Sequence, residues 1–581
     1  MSMATSLLMF PIQNKSKEQG MHNTVVDPVT REVISGMLNA VTAEMQQTLI
    51  STSHSPIITE GQDATAAIFD TEGRNIAQAT AVPVHLGVLV EMGKRFAAQY
   101  PEGVAEPGDI YVCNDPYCGG THLPDIAVVA PVFYDDYLVG YVATMTHHRD
   151  IGGYAPGSVN VEARDLHAEG LRIPIVRLYH RGELNDSLNA LLESNTRTPE
   201  SLRGDLGAQI AACRTGLKRY SRVFSRWGRE TIAEANRQLM DYAESLTRAE
   251  IGRINDGDFY FEDWLDDDGL DPANDPLKIA VTLRVRGDEI EFDFTGTDPQ
   301  ATSAINNVPS STNAVVFYAV RLLTGDRIPN NDGCYRPIRT VLPAGTLVSA
   351  NYPAPVAARG MSLKRIEDVV LGAMIKAVPE FFTAAHSGQY TMVTIAGQDP
   401  ETGRALLGHI GGPYAGGHGA RPRKDGIDVT EHGATNGSPI PLEVAEAKLP
   451  LLFRQCSLWT DSGGAGRNRG GLGYHVDVEW RGPAVYAQLR RERMKFKPWG
   501  ALGGSDAPLC STEFFGIDGS NEELPGKCRR ALIAGDRLSI YTTGGGGYGN
   551  PRERDRIAVE NDVIDGKVSV EAAKEVYGYS G

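Results

Sequence analysis

The sequence predicts a mixed α+β protein of several subdomains, with substantial antiparallel sheet and long helices. Three observations point there: apolar stripes at helical spacing in the first half, alternating segments joined by short polar turns, and a second half of β patterning interrupted by glycine clusters. With 581 residues, 41% of them hydrophobic, the chain can bury a sizeable core and is expected to divide into several units.

Residues 1–26 read as an N-terminal extension. The apolar patch at residues 7–10 is far shorter than a secretory core region and has no basic flank before it. A helix then opens at Asp27-Pro28, a capping residue followed by proline at the first helical position. Val29, Val33, Ile34, Met37, Leu38, Val41, Met45 and Leu49 continue it as one apolar stripe. Residues 65–70, the turn Thr71-Glu72-Gly73-Arg74 and residues 75–78 read as a hairpin, with Asp63 just before its first strand.

A second helical region spans about residues 199–253, with Leu202, Leu206, Ile210, Cys213, Leu217, Tyr220 and Phe224 on its apolar face. The acidic run at residues 262–271 reads as a surface loop, and residues 277–286 and 289–294 as strands. A boundary near residue 255 separates region 27–255, which bears the chemistry, from a glycine-rich, mainly β region 256–551. Residues 552–581 form a C-terminal tail. The glycine clusters at Gly411-Gly412, 416–419, 462–466, 469–473 and 544–547 lack the lysine and hydroxyl of a P-loop. They read as tight turns and close backbone packing rather than as phosphate cradles.

A balance of 56 basic against 73 acidic residues leaves a formal charge of −17, which disfavours nucleic acid and anionic membrane surfaces as partners. No stretch approaches the roughly 18 apolar residues of a membrane span. Seven cysteines, an odd count without repeated CxxC spacing, fit a reduced, cytoplasmic setting. Cys113 and Cys118 have no matching second pair and read as structural thiols.

The chemistry concentrates in residues 108–153. His122 and Asp125 form an H-x-x-D pair directly before an apolar strand, and a polar turn at residues 134–137 reverses the chain. The returning strand delivers His147, His148 and Asp150 at its far end. A hairpin centred near Asp135 and Asp136 sets position 125 opposite 146 or 147, so both histidine-bearing ends meet at one rim of the sheet. Adjacent strand residues face opposite sides, so one of His147 and His148 joins the site; register favours His147, and a one-residue slip would exchange them. Imidazole plus carboxylate without thiolate suits a divalent Zn, Mn or Fe ion, which would acidify water and polarise a carbonyl or phosphorylated oxygen. Asp63, Asp115 and Asp150 are candidates for a further ligand or an orienting acceptor, and His148 and Asp150 for catalytic roles. His85, a polar ring among apolar neighbours, is either a satisfied core histidine or a proton carrier lining the site. His418, between glycines, carries the same question more weakly.

On these residues the sequence resembles the hydantoinase B family. That family includes subunits of ATP-dependent hydantoinases and caprolactamase, the C-terminal part of 5-oxoprolinases, and related subunits of acetone and acetophenone carboxylases. The resemblance runs from about residue 27 to 551 through Gly61-Gln62-Asp63, Pro83-Val84-His85-Leu86-Gly87, Asn114-Asp115-Pro116, residues 119–125 and 147–153, Phe292-Asp293-Phe294-Thr295-Gly296-Thr297, Cys334-Tyr335-Arg336-Pro337, residues 461–473 and residues 544–549. It implies a metal held by His122, Asp125 and His147, with Asp63 as a further ligand. It also implies an obligate partner, a hydantoinase A-type subunit that binds ATP and Mg and phosphorylates the substrate, in a heterotetramer of two of each. The expected function is ATP-dependent opening of a small cyclic amide such as hydantoin, oxoproline or caprolactam; the alternative is a ketone carboxylase subunit. Gly61-Gln62-Asp63-Ala64 departs from the family pattern of Glu-Arg before the aspartate and an aromatic after it, which bears on Asp63 and on the substrate pocket.

Overall fold

A computed structural model describes residues 25–580 except 81, 272, 390–392, 404, 411–415 and 436. The patch at residues 7–10 and the Gly411-Gly412 pair lie outside the described residues. The fold is mixed helix and largely antiparallel sheet, as the patterning predicts.

The sheet that carries the chemistry has seven strands: β1 (Ala64–Phe69), β2 (Asn75–Gln78), β3 (Ile110–Cys113), β4 (Asp125–Tyr134), β5 (Tyr137–His147), β6 (Val176–His180) and β7 (Glu183–Leu184). They lie in the order β2-β1-β5-β4-β3-β6-β7 with every neighbour antiparallel. Asp135 and Asp136 both take left-handed backbone angles at the β4–β5 turn, the conformation a two-residue hairpin of this twist requires.

Both faces of the strands β1, β3, β4 and β5 are buried, so these strands are largely apolar instead of alternating. Ile126, Val128 and Ala130 pack with Val142 under the helices Pro28–Thr52 and Pro199–Trp227. Ala127 and Val129 pack with Ala143 and Met145 on the other face, beneath the helix Pro83–Gln99. Asp27 caps the first helix by accepting from the Val29 and Thr30 amides, as its position before proline predicts.

Beyond residue 255 a four-stranded sheet comprises Gly257–Leu265, Leu277–Arg286, Glu289–Asp293 and Ile338–Val341, and two further sheets of four and five strands follow. Two long buried helices, Pro309–Thr324 and Gly360–Ala377, accompany them. The largest apolar core draws residues from both sides of position 255, from Ala67 to Tyr548. The glycine clusters interleave backbone against backbone: a Cβ on Gly417 would fall 1.9 Å from the Gly471 carbonyl oxygen, and one on Gly470 1.9 Å from that of Gly545. Within the tail, residues of the helices Arg556–Ile564 and Val570–Glu575 share a small core to which Ala465 packs.

The acidic run is a correction to the sequence reading. Residues up to 265 form a strand, and Asp263, Asp266 and Asp267 are buried. Asp263 meets Arg365 and Arg493, Asp267 meets Lys527, and Asp266 accepts from the Met494 and Lys495 amides. Those partners lie a hundred residues or more away in sequence, so the run reads as solvated until the chain is folded.

Among the described residues no helix is long and apolar enough to cross a membrane, and all seven cysteines are free.

Candidate metal centre

The hairpin register pairs Asp125 with His147. Period-two geometry puts both on the same face of the sheet, the one covered by the helix Pro83–Gln99, and turns His148 to the opposite face. His122 arrives from the loop before β4. Asn114 fixes that loop, its amide donating to the Leu123 and Leu171 carbonyls while its oxygen accepts from the Ile173 amide.

His122, Asp125 and His147 converge. His122 Nε2 lies 3.0 Å from Asp125 Oδ1, His147 Nδ1 lies 2.9 Å from the same oxygen, and the two ring nitrogens are 3.1 Å apart. All three residues are buried. His122 Nδ1 donates to the Ala357 carbonyl at 3.0 Å, which leaves Nε2 with its lone pair directed at the cluster. Asp125 Oδ2 accepts from Arg359 at 2.9 Å and from the Thr121 hydroxyl, so Oδ1 is the oxygen free to ligate. The donor set therefore fits a divalent ion: two imidazoles and a carboxylate offer converging lone pairs, with an orienting partner behind two of them.

Burial opposes charge on His122, Asp125 and His85. It lowers the pKa of His122. Asp125 suffers the same desolvation, yet the His122, His147 and His85 rings hold its carboxyl well below the usual range. His85 is desolvated too, and the neighbouring Asp125 and Asp63 carboxylates raise its pKa overall.

His85 and Asp63 stand at the edge of the cluster. His85 Nε2 is 3.6 Å from Asp63 and 3.8 Å from Asp125, while its Nδ1 has no hydrogen-bond partner. The ring sits in the first turn of the helix Pro83–Gln99, a helix the sequence reading did not recognise. Gly87 lets that helix close on the helix Pro309–Thr324, since a Cβ there would lie 2.4 Å from Ala314 Cα. Asp63 comes just ahead of β1, its carbonyl accepting from the His147 amide and the Thr146 hydroxyl. A small recess of about 40 Å³ opens beside these groups, lined by Asp63, His85, His122, His147, Arg359 and Thr435 among others.

Four candidates from the sequence stand elsewhere. His148 Nε2 donates to Gln209 at 2.9 Å, in the layer beneath the helix Pro199–Trp227, because the alternation that brings His147 in turns it away. Asp150 accepts from the Gly152, Gly157 and Arg197 amides and pairs with the Arg197 guanidinium, tying the loop after β5 in place. Asp115 caps a short turn and pairs with Arg172 at 2.6 Å. His418 stacks against His386, 3.8 Å between ring centroids, in a separate buried cluster. Arg359 is the residue that sequence reasoning missed: it lies 234 positions from its partner Asp125, and no local pattern marks it.

Comparison with known proteins places this geometry. The model of the hydantoinase B/oxoprolinase family matches residues 27–551. The chain belongs to the hydantoinase B/oxoprolinase family. It is 33% identical to the B-type subunit of a putative D-/L-hydantoinase from Pseudomonas sp. (strain NS671), covering 95% of each chain. It is 31% identical to the beta subunit of caprolactamase from Pseudomonas jessenii, over 95% of this chain and 96% of that one. The crystal structure of the ATP-dependent caprolactamase from Pseudomonas jessenii superposes with a TM-score of 0.88 at 30% identity, covering 95% of this chain and 96% of that one. The nucleotide-free structure of acetone carboxylase shares the fold, with a TM-score of 0.88 at 18% identity over 95% of this chain and 79% of that chain. Two of these family members are named as subunits.

Proposed function

We propose that this chain is the beta-type subunit of an ATP-dependent cyclic amide hydrolase. In this reading an A-type partner, two copies of each chain assembling together, binds ATP and Mg and phosphorylates the amide oxygen of a lactam, hydantoin or oxoproline ring. The chain described here completes the opening of that ring. The observation that carries the reading is the convergence of His122 Nε2, Asp125 Oδ1 and His147 Nδ1 within 3.1 Å at the wall of a recess. Kinship with hydantoinase and caprolactamase subunits supports it.

A planar amide is a poor electrophile, and phosphorylation of its oxygen makes the ring carbon open to water. A Zn, Mn or Fe ion held by His122, Asp125 and His147 would supply Lewis acidity toward substrate oxygen and water. The Ala357 carbonyl orients the His122 imidazole, and Arg359 fixes the carboxylate through its other oxygen. The proton of the adding water passes to the Asp63 carboxylate, and His85, its Nε2–H facing Asp63 and Asp125, gives one to the departing ring nitrogen. The ring C–N bond then breaks as the nitrogen gains a proton, leaving an acyl phosphate from which a second water releases phosphate. Asp63 holds His85 and offers a further ligand. Val82, Val84 and Met361 give the recess an apolar lining beside these polar groups.

Assay of the chain co-purified with its partner tests this directly: ATP-dependent opening of caprolactam, hydantoin and 5-oxoproline, with and without bicarbonate. Ring opening without added bicarbonate is expected. Incorporation of labelled bicarbonate into a ketone, with no ring opening, would replace the hydrolase by a carboxylase.

A further inference from the structure

A second cavity, of about 600 Å³, lies behind the first turn of the helix Pro83–Gln99. Pro83 lines it, while its neighbours Val82, Val84 and His85 line the recess of the metal centre, so one turn of backbone divides the two spaces. Tyr318 forms another shared wall. Its ring lines the large cavity, and its hydroxyl abuts Gly433 in the loop that sends Thr435 and Gly437 to the metal side.

This cavity holds polar groups that the fold leaves unsatisfied. Arg321 lines it, makes no ion pair among the described residues, and its buried Nη1 has no hydrogen-bond acceptor. A cation in the last turn of the helix Pro309–Thr324 complements the helix C-terminus, but that interaction supplies no acceptor for Nη1. Gln78, buried at the end of β2, donates through its nitrogen to Thr65, while its Oε1 is buried without a donor. Asp326, in the loop after the same helix, also lines the cavity and pairs with no cation among the described residues. A buried charged donor without an acceptor is a costly defect, and native folds keep few of them. Here a lone donor, a lone acceptor and a free carboxylate face one small-molecule-sized space.

We infer that this cavity binds a small acyclic molecule carrying a carboxylate at one end and an N–H donor at the other, with Arg321 taking the carboxylate and Gln78 and Asp326 the nitrogen end. Ring opening turns a neutral cyclic amide into such a molecule, an ω-amino acid or an N-carbamoyl amino acid. The naming of the occupant as product rests on the proposed function; the binding chemistry does not. A neutral ring offers Arg321 no charge, so the site prefers the opened product to the substrate and draws it from the metal centre next door.

The test is calorimetric titration of 6-aminohexanoate into the chain co-purified with its partner, with caprolactam and inorganic phosphate as comparison probes. Arg321→Gln and Gln78→Met should each weaken 6-aminohexanoate binding roughly tenfold, the loss of one charge-assisted or buried hydrogen bond, while metal content and melting temperature stay unchanged. His122→Ala should leave that binding in place, and Arg321→Lys should restore part of it. Equal affinity in Arg321→Gln, loss confined to His122→Ala, or preference for caprolactam or phosphate would each overturn the inference. A chain that binds 6-aminohexanoate through Arg321 yet opens no ring would retain the site and refute the activity.

Discussion

The helix Gly360–Ala377 touches two buried polar clusters built on opposite plans. At its start, Arg359 meets a carboxylate and two imidazoles whose lone pairs crowd together beside a recess. Farther along, Arg365 meets Asp263 and Glu492, while Asp368 meets Arg493 and His432. There every carboxylate has a cation within reach, and Lys527 closes the network onto Glu492 and Asp267. Buried charge alone does not mark a functional site. The second cluster is neutralised by its own members and holds distant segments together; in the first, Arg359 meets one oxygen of Asp125 while the other crowds against two imidazole nitrogens beside a recess.

The two clusters should differ most when an arginine is removed from each. Arg493→Met takes from Asp263 and Asp368 the cation they share, leaving them only Arg365 and His432, and should cost about 3–5 kcal/mol, measured by denaturant unfolding, while metal stoichiometry in the folded fraction is unchanged. The same measurement on Arg359→Gln should show little loss of stability. Metal affinity should instead drop roughly 10–100-fold, the usual cost of losing a partner that orients a ligand.

Acidity separates the clusters further. Burial opposes charge on His432, but Glu367 and Asp368 raise its pKa to about 9. Between its unfolded pKa near 6.5 and that value, the folded chain binds the extra proton. Its stabilising contribution is complete below about pH 6.5 and should be lost as pH rises to about 9, seen as a falling melting temperature that His432→Gln flattens. His386, whose pKa burial pushes well below the usual value, is neutral in the folded chain across that window and loses its unfolded-state proton by about pH 7.5, which leaves the fall toward pH 9 to His432. The smallest expected effect lies farthest from both clusters: Asp27→Ala should cost about 1 kcal/mol of stability by removing a helix cap, with no change in metal content.

The sequence carried the first cluster better than the second for a physical reason. A tight hairpin is a local object, so the spacing of Asp125, Asp135-Asp136 and His147 sets register, and alternation separates His147 from His148. The site's remaining supports are non-local. Arg359 and the Ala357 carbonyl come from a helix start more than two hundred residues away, and no periodicity ties them to Asp125. The ionic network was misread for the same reason, since Asp263 and Asp267 look solvated until Arg365, Arg493 and Lys527 are brought to them. His85 was visible as a polar ring among apolar residues, but its helix was not. The run Pro83-Val84-His85-Leu86-Gly87 is too uniformly apolar for a helical stripe, and its Gly87, weak as a helix former, serves the approach of a second helix.

Whether the first cluster holds an ion that the reaction needs is decided by metal analysis of the chain co-purified with its partner, with ATP-dependent ring opening read alongside. Wild type is set against His122→Ala, His147→Ala and His148→Gln. One divalent ion per chain is expected in wild type and in His148→Gln, with loss of both ion and ring opening in His122→Ala and His147→Ala. A metal-free wild type that opens the ring at full rate, or loss of the ion in His148→Gln alone, would contradict the assignment.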